Sequence, residues 1–336
     1  MKRAHQNQQL KGAQPAAKAH RRAAAIPQNS ERESFLSEVL KNPARLRGCV
    51  YAADKEFVLA VVTKHHDALV YAAATLKADK DVVLAAVTHN GEQLHYASAA
   101  LRSDRQVVLA AVNNDGNALH YASEELRSDS QVVLAAVKSN GCSLRYATED
   151  LQSDRQIVLP AVNNDGWAVQ FASEELKSDR QVVLAAVNDD GLMLHSVSAE
   201  LRSDGQVVLA AMKSNGLALR FASEELPADR EVVLTAVNNS SFVEPMIQPF
   251  HVALQFASEE LRADRQVVLD AVKSNGWAFR HASDELRSDR QVVLDAVNVN
   301  GSALHFASKE LQSDRQVVLD AVHNYDWALC CASIEL

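Results

Sequence analysis

The sequence is short of most things that announce a function. Over 336 residues, no apolar run approaches the roughly 18 residues of a membrane span, so no membrane role is expected. The N-terminus has no apolar core of a secretory signal. The four cysteines, Cys49, Cys142, Cys330 and Cys331, fall at no framework spacing, and two are adjacent. That pattern fits a reducing compartment and no disulfide scaffold. Aromatics make up only 5% of the chain, so Ala, Val and Leu must form the core. There is no Gly-rich phosphate loop, no nucleophile–base set and no metal-ligand spacing. Catalytic residues, cofactor and metal are all expected to be absent.

Acid is missing from one stretch. Residues 1–30 hold Lys2, Arg3, Lys11, Lys18, Arg21 and Arg22 and no carboxylate. The rest of the chain therefore has 28 basic against 43 acidic residues, a net of −15. A body this acidic opposes general binding to a phosphate backbone, so nucleic acid is an unlikely partner. Residues 1–29 read as a disordered basic tail. The alternative is a leader that targets an organelle; without it the expected location is cytoplasmic.

What the chain has is a repeat. Asp54 recurs as Asp79, Asp104, Asp129, Asp154, Asp179, Asp204 and Asp229, then as Asp264, Asp289 and Asp314. The step is 25 residues throughout, except for 35 between Asp229 and Asp264, which marks a ten-residue insertion. Taking this Asp as slot 1 gives eleven units, numbered 1 to 11. Ser103-Asp104-Arg105-Gln106 has the Ser-x-x-Gln pattern of a capping box. It opens a helix A over slots 1–11, apolar at slots 5, 8 and 9 and widened by slots 4 and 6. Gly fills slot 13 in eight units, which suggests a left-handed C-cap. A helix B over slots 14–23 follows, with apolar slots 15, 16, 19 and 23 and an aromatic usually at 18.

Helices this short are not stable alone, and one unit cannot bury its own apolar face. The fold class is therefore all-α: an α-solenoid of about eleven 25-residue helix–turn–helix repeats. Ser30 opens an N-terminal capping helix that ends near Lys41, so residues 30–53 are a cap and partial repeat and 54–336 the array, interrupted near 240–251. Pro160 within helix A should leave a local irregularity. The last unit carries Cys330, Cys331 and Ile334 where others are polar or aromatic. An apolar end of this kind is unusual and leaves open an end-to-end contact with another chain.

The run D-R-Q-V-V-L-A-A-V-x-x-N-G-x-A-L-x-Y-A-S-E-E-L closely resembles the repeat of domain of unknown function 4116, from Ala52 to Leu336. The resemblance implies helical repeats. The family's name records no assigned activity, so it supplies no catalytic residue. Pro160, the insertion, and Ser196 and Cys331 in the aromatic slot depart from the pattern.

Function is then sought in slots that vary, namely 10–14 and 17. Slots 14 and 17 share a face at the start of helix B. Trp167 with Gln170, and Trp277 with Arg280, together with Arg220 and His305, form a candidate recognition stripe. The bland alternative is a solvated ladder in which Trp shields the next unit. The histidines of slot 17 lie one unit apart, about 10 Å, too far to share a metal. Asp270, Asp295 and Asp320 make an acidic stripe at slot 7, either solvated or facing a basic partner. Phe242, Met246 and Phe250 of the insertion either fold back or form a contact loop. The expected function is a non-catalytic scaffold for a protein or peptide. The alternatives are a one-unit-per-base RNA binder and, less favoured, an enzyme with an unrecognised site.

Overall fold

The computed structural model describes residues 29–239 and 252–331. Among these, every regular element is helical. An N-terminal helix, Asn29–Val39, and a 3-10 segment, Pro43–Leu46, precede eleven copies of helix A, from Lys55–Lys64 to Arg315–Asn324. Each helix A packs against the helix A before and after it, so contacts run between sequence neighbours, as in a solenoid. Residues 1–28 and the insertion lie outside the described residues.

Helix A begins one residue later than the capping-box pattern suggests. The N-cap is the slot-1 Asp itself. Asp104 is extended, and its carboxylate accepts from the amides of Gln106 and Val107; the same geometry recurs at Asp79, Asp129, Asp179 and Asp204. A carboxylate serves better than the preceding Ser, because it also meets the positive end of the helix dipole. Slots 4, 5, 8 and 9 form the buried side, as in Val107, Val108, Ala111 and Val112. The slot-6 Leu, present in every unit, is only half-buried, and in the last unit Leu319 is 54% exposed.

Helix B is two pieces rather than one. Slots 13–18 form a 3-10 helix, for example Gly116–Tyr121. Slot 19 is extended, with Ala122 at ψ 156, and slots 21–24 then make one helical turn, Glu124–Arg127. The break matters because it exposes a backbone amide at slot 20. That amide donates to the slot-24 carbonyl of the preceding unit, as in Ser98 to Lys77 at 2.8 Å, Ser123 to Arg102 at 2.9 Å and Ser283 to Arg262 at 2.9 Å. The bond recurs through the array and includes Ala73 to Ala52 at the cap. A continuous helix would have consumed that amide internally.

The slot-13 glycines are not left-handed caps. The one glycine with positive φ among the described residues is Gly48. Slot 13 is glycine because the next unit presses on it. A Cβ built on Gly91, Gly116, Gly141, Gly191 or Gly301 would lie 2.2–2.4 Å from the slot-8 carbonyl oxygen of the following helix A. The glycine amide also donates across the junction to the slot-11 side chain, as in Gly91 to Asn114 at 2.9 Å and Gly141 to Asn164 at 2.7 Å.

A third connection is ionic. The slot-2 cation of one unit meets the slot-1 Asp of the next: Lys80–Asp104 at 2.7 Å, Arg105–Asp129 at 3.1 Å, Arg155–Asp179 at 2.8 Å, Arg290–Asp314 at 3.0 Å. Arg32 of the N-terminal helix serves Asp54 in the same way at 3.0 Å. Pro160 does not break its helix, which runs over Arg155–Asn164 like its neighbours. The irregularity is confined to the first turn, where the Ile157 amide turns to the Asp154 carbonyl at 3.0 Å. Pro160 occupies slot 7 on the half-exposed side, so its ring avoids the core.

Candidate functional site

Because slots 13–18 form a 3-10 helix, residues three apart eclipse one another. Slots 14 and 17 therefore do share a face. Their partners, however, are not each other alone. Slot 17 side chains lie against the slot-18 rings of their own unit and of the next. His95 is 4.9 Å from both Tyr96 and Tyr121, and His120 is 5.1 Å from Tyr121 and 4.9 Å from Tyr146. The Arg220 guanidinium sits 4.9 Å from the Phe221 ring and 6.0 Å from Phe256. Arg145 caps Tyr146 at 4.6 Å. The result is an interleaved ladder of basic and aromatic groups along one edge of the array.

The candidates named from sequence fall at different places on this ladder. Arg220, Arg280 and His305 are exposed, and His305 stands edge-on to Phe306 at 4.9 Å. Trp277 is half-buried and packs on the next unit, 5.2 Å from Phe306 and 6.2 Å from His305, so it does shield its neighbour. Trp167 is 48% exposed. Gln170 turns to the Met193 sulfur at 3.8 Å. Phe242, Met246 and Phe250 lie outside the described residues, as do Ile334 and the 1–28 tail.

Several of the varying slots prove structural. Slot 12 caps the 3-10 segment: Asn140 accepts from the Cys142 amide and Asp165 from Trp167. Slot 11 receives the glycine amide described above. Cys142, at slot 14, donates its Sγ–H to Asp165 at 3.1 Å. Burial and the carboxylate push that thiol up to about 12, so it stays protonated and a poor nucleophile. The slot-7 acids are internally paired. Arg265 of unit 9 reaches Asp295, and Asp270 takes Lys273 at 2.8 Å and Gln266 at 3.2 Å. Those pairs hold Asp270 below the usual carboxylate range.

Two features escaped sequence reasoning. Slot 24 lies just beyond the helix B expected over slots 14–23, yet it carries Lys77, Arg102, Arg127, Lys177, Arg202, Arg262 and Arg287, and no acid in any unit. Some of the slot-24 side chains fold back on their own unit, and others pair with an acid three residues earlier. Lys77 donates to the Val70 carbonyl at 2.9 Å, and Gln152 donates to Leu144 and Ala147 at 3.2 Å each. The other is His281, a third departure in the aromatic slot. It lies in a groove of about 650 Å³ between units 8 and 9, with Arg262, Arg280 and Arg287. Desolvation, helped by Arg280 and Arg262, lowers its pKa. The never-acidic slot 24 and the missing ring at 281 were both visible in the alignment of the units. Among the described residues, no cluster of three His, Cys, Asp or Glu is placed to hold a metal, and no helix is long and apolar enough to cross a membrane.

Comparison with curated proteins and with solved structures returned no match. A family model described as a domain of unknown function (DUF4116) matches residues 54–102, 104–152, 154–202, 204–244, 229–287 and 289–336. Most of these matches span 48 or 49 residues, two of the 25-residue units, and the one at 229–287 is longer because it contains the insertion. With its register set by the same repeated Asp and nearly all of 54–336 covered, the chain belongs to the DUF4116 family.

Proposed function

We propose that this protein is a non-catalytic scaffold that holds an extended peptide segment of a partner protein along the slot 17 and slot 24 edge. One observation carries the reading. In a chain of net charge −9, neither slot contains an acid in any unit, and the slot-17 groups stand exposed on aromatic rings. Basic groups repeated at a fixed spacing suit a segment with anionic groups along its length. The aromatic backing gives each contact apolar area and cation–π support. The neighbouring slots 21–22 are exposed and carry at least one acid in units 3 to 10, which would reject a uniformly acidic chain and favour one of mixed charge. The cysteine usage suits the reducing cytoplasm.

The RNA reading is weaker on this geometry. Base stacking needs open ring faces, and the slot-18 rings are already flanked by slot-17 groups from two units. The test is affinity capture with the wild-type chain and with a variant carrying Arg220→Glu, Arg280→Glu and His305→Glu. The variant is expected to lose the partners that the wild type retains. Identical partner sets, or capture of RNA alone, would reject the proposal.

A further inference from the structure

The groove between units 8 and 9 differs from its counterparts along the array. Elsewhere the slot-24 pair and the intervening slot 17 include at least one residue without a guanidinium, such as His120 between Arg102 and Arg127, or Gln152 after Arg145. Here all three are arginine, and the ring that normally fills slot 18 is His281. Arg262, Arg280, Arg287 and His281 line one groove of about 650 Å³. The Nε atoms of Arg262 and Arg287 are buried and without a hydrogen-bond partner, as are those of Arg102, Arg127 and Arg202 at the same slot. What sets this groove apart is the third guanidinium, Arg280, together with His281 in the aromatic slot.

The rim has the opposite sign. Glu259, Glu260, Asp284 and Glu285 line it. Glu259 approaches Arg262 only to 3.9 Å and is 96% exposed, and Asp284 pairs with Arg287 while 85% exposed. Such solvated pairs contribute little and are readily exchanged. The groove thus has a guanidinium floor and a carboxylate rim. Three guanidiniums offer more donors than one carboxylate can accept, whereas a phosphate monoester has three acceptor oxygens and close to two charges. Basic side chains on either side of that group would meet the rim.

We propose that this groove binds a phosphate monoester on a partner segment whose neighbouring residues are basic. The proposal rests on the peptide-binding reading and narrows it to one subsite. The intact chain would be titrated calorimetrically with inorganic phosphate, with a phosphoserine peptide flanked by Lys and Arg, and with the same peptide unphosphorylated. The phosphopeptide is expected to bind at least about tenfold more tightly than its unphosphorylated twin, since charge-assisted hydrogen bonds to Arg are the strong ones. The triple variant Arg262→Gln, Arg280→Gln, Arg287→Gln should abolish that difference. It is expected to fold, because Gln already occupies slot 24 at Gln152 and Gln312 and slot 17 at Gln170 and Gln255. Arg145→Gln should leave the difference intact.

Equal affinity for the two peptides, or a difference that survives the triple variant, would overturn the proposal. Phosphate binding that the triple variant abolishes, with a phosphopeptide no tighter than phosphate, would also overturn it as a partner site, leaving only an anion site. Failure of the wider reading is separable. Arg220→Glu with His305→Glu should reduce partner capture while leaving the ratio of phosphorylated to unphosphorylated peptide affinity unchanged.

Discussion

Two rows of cations run along this array, and they are used differently. The slot-2 row, exemplified by Lys80, Arg105 and Arg180, finds a carboxylate of the next unit at 2.7–3.3 Å. The slot-17 row has no acid in register and rests on aromatic rings. The first row joins units whose partner is fixed by the fold. The second presents charge whose natural counterpart is absent from the repeat pattern. Position relative to the neighbouring unit, and not residue type, separates a cation paired with the next unit's carboxylate from one backed by aromatic rings.

The largest effect should come from the junction itself. Gly191→Ala places a methyl 2.2 Å from the Ala211 carbonyl, which forces backbone movement and should cost about 3 kcal/mol. At Gly205 a Cβ meets nothing within 4 Å. Gly205→Ala should be neutral or stabilising by up to about 1 kcal/mol. Denaturant melts of the two variants check this; equal behaviour would remove close approach as the reason for glycine at slot 13.

Next in size is the cap. Asp204→Ala removes the carboxylate that accepts from the Gln206 and Val207 amides, and with it the Arg180 pair, and should cost about 1–2 kcal/mol. Arg220→Ala on the other row should change stability by less than about 0.5 kcal/mol. A comparable loss at Arg220 would erase the distinction between the rows.

Acid should act on the first row alone. Side-chain hydrogen bonds from Lys80, Arg180 and Arg290 are the leading cause that lowers Asp104, Asp204 and Asp314. A carboxyl lowered on folding stabilises the fold fully above its unfolded pKa of about 3.9 and loses that contribution as pH falls through the folded value. Melting temperature should therefore hold through mildly acidic pH and drop below about 4. In Lys80→Met the drop should be shallower.

The smallest effect concerns a missing rung. Gly205, like Ser130 in unit 4, stands where the other nine units place a slot-2 cation, and it faces Asp229. Gly205→Arg should restore the pair and raise stability by a few tenths of a kcal/mol beyond Gly205→Ala, falling in high salt.

Much of this was legible beforehand. The period, the eleven units, the helical class and the buried slots follow from spacing, because apolar residues at fixed intervals can be covered only by the next copy. The cap of helix A was misassigned by one residue, since Ser103 and Asp104 are both good N-caps and only the backbone conformation chooses between them. Slot 13 was assigned to the right residue for the wrong reason. Of the site, Arg220, Arg280 and His305 were found by their variation. Arg262 and Arg287 stand at slot 24, beyond the expected end of helix B, and His281 occupies an aromatic slot, so neither slot varies in the way that marks the stripe.

The sequence alone determined that a stack must form and which slots lie inside it, through the hydrophobic demand of short helices. The tertiary structure decided what joins one unit to the next: the slot-20 amide on the slot-24 carbonyl, the glycine against the slot-8 carbonyl, and the pairing of slot 2 with slot 1. Those contacts lie about 20–35 residues apart along the chain. The first of them depends on the extended residue at slot 19, and no local pattern records the break it makes.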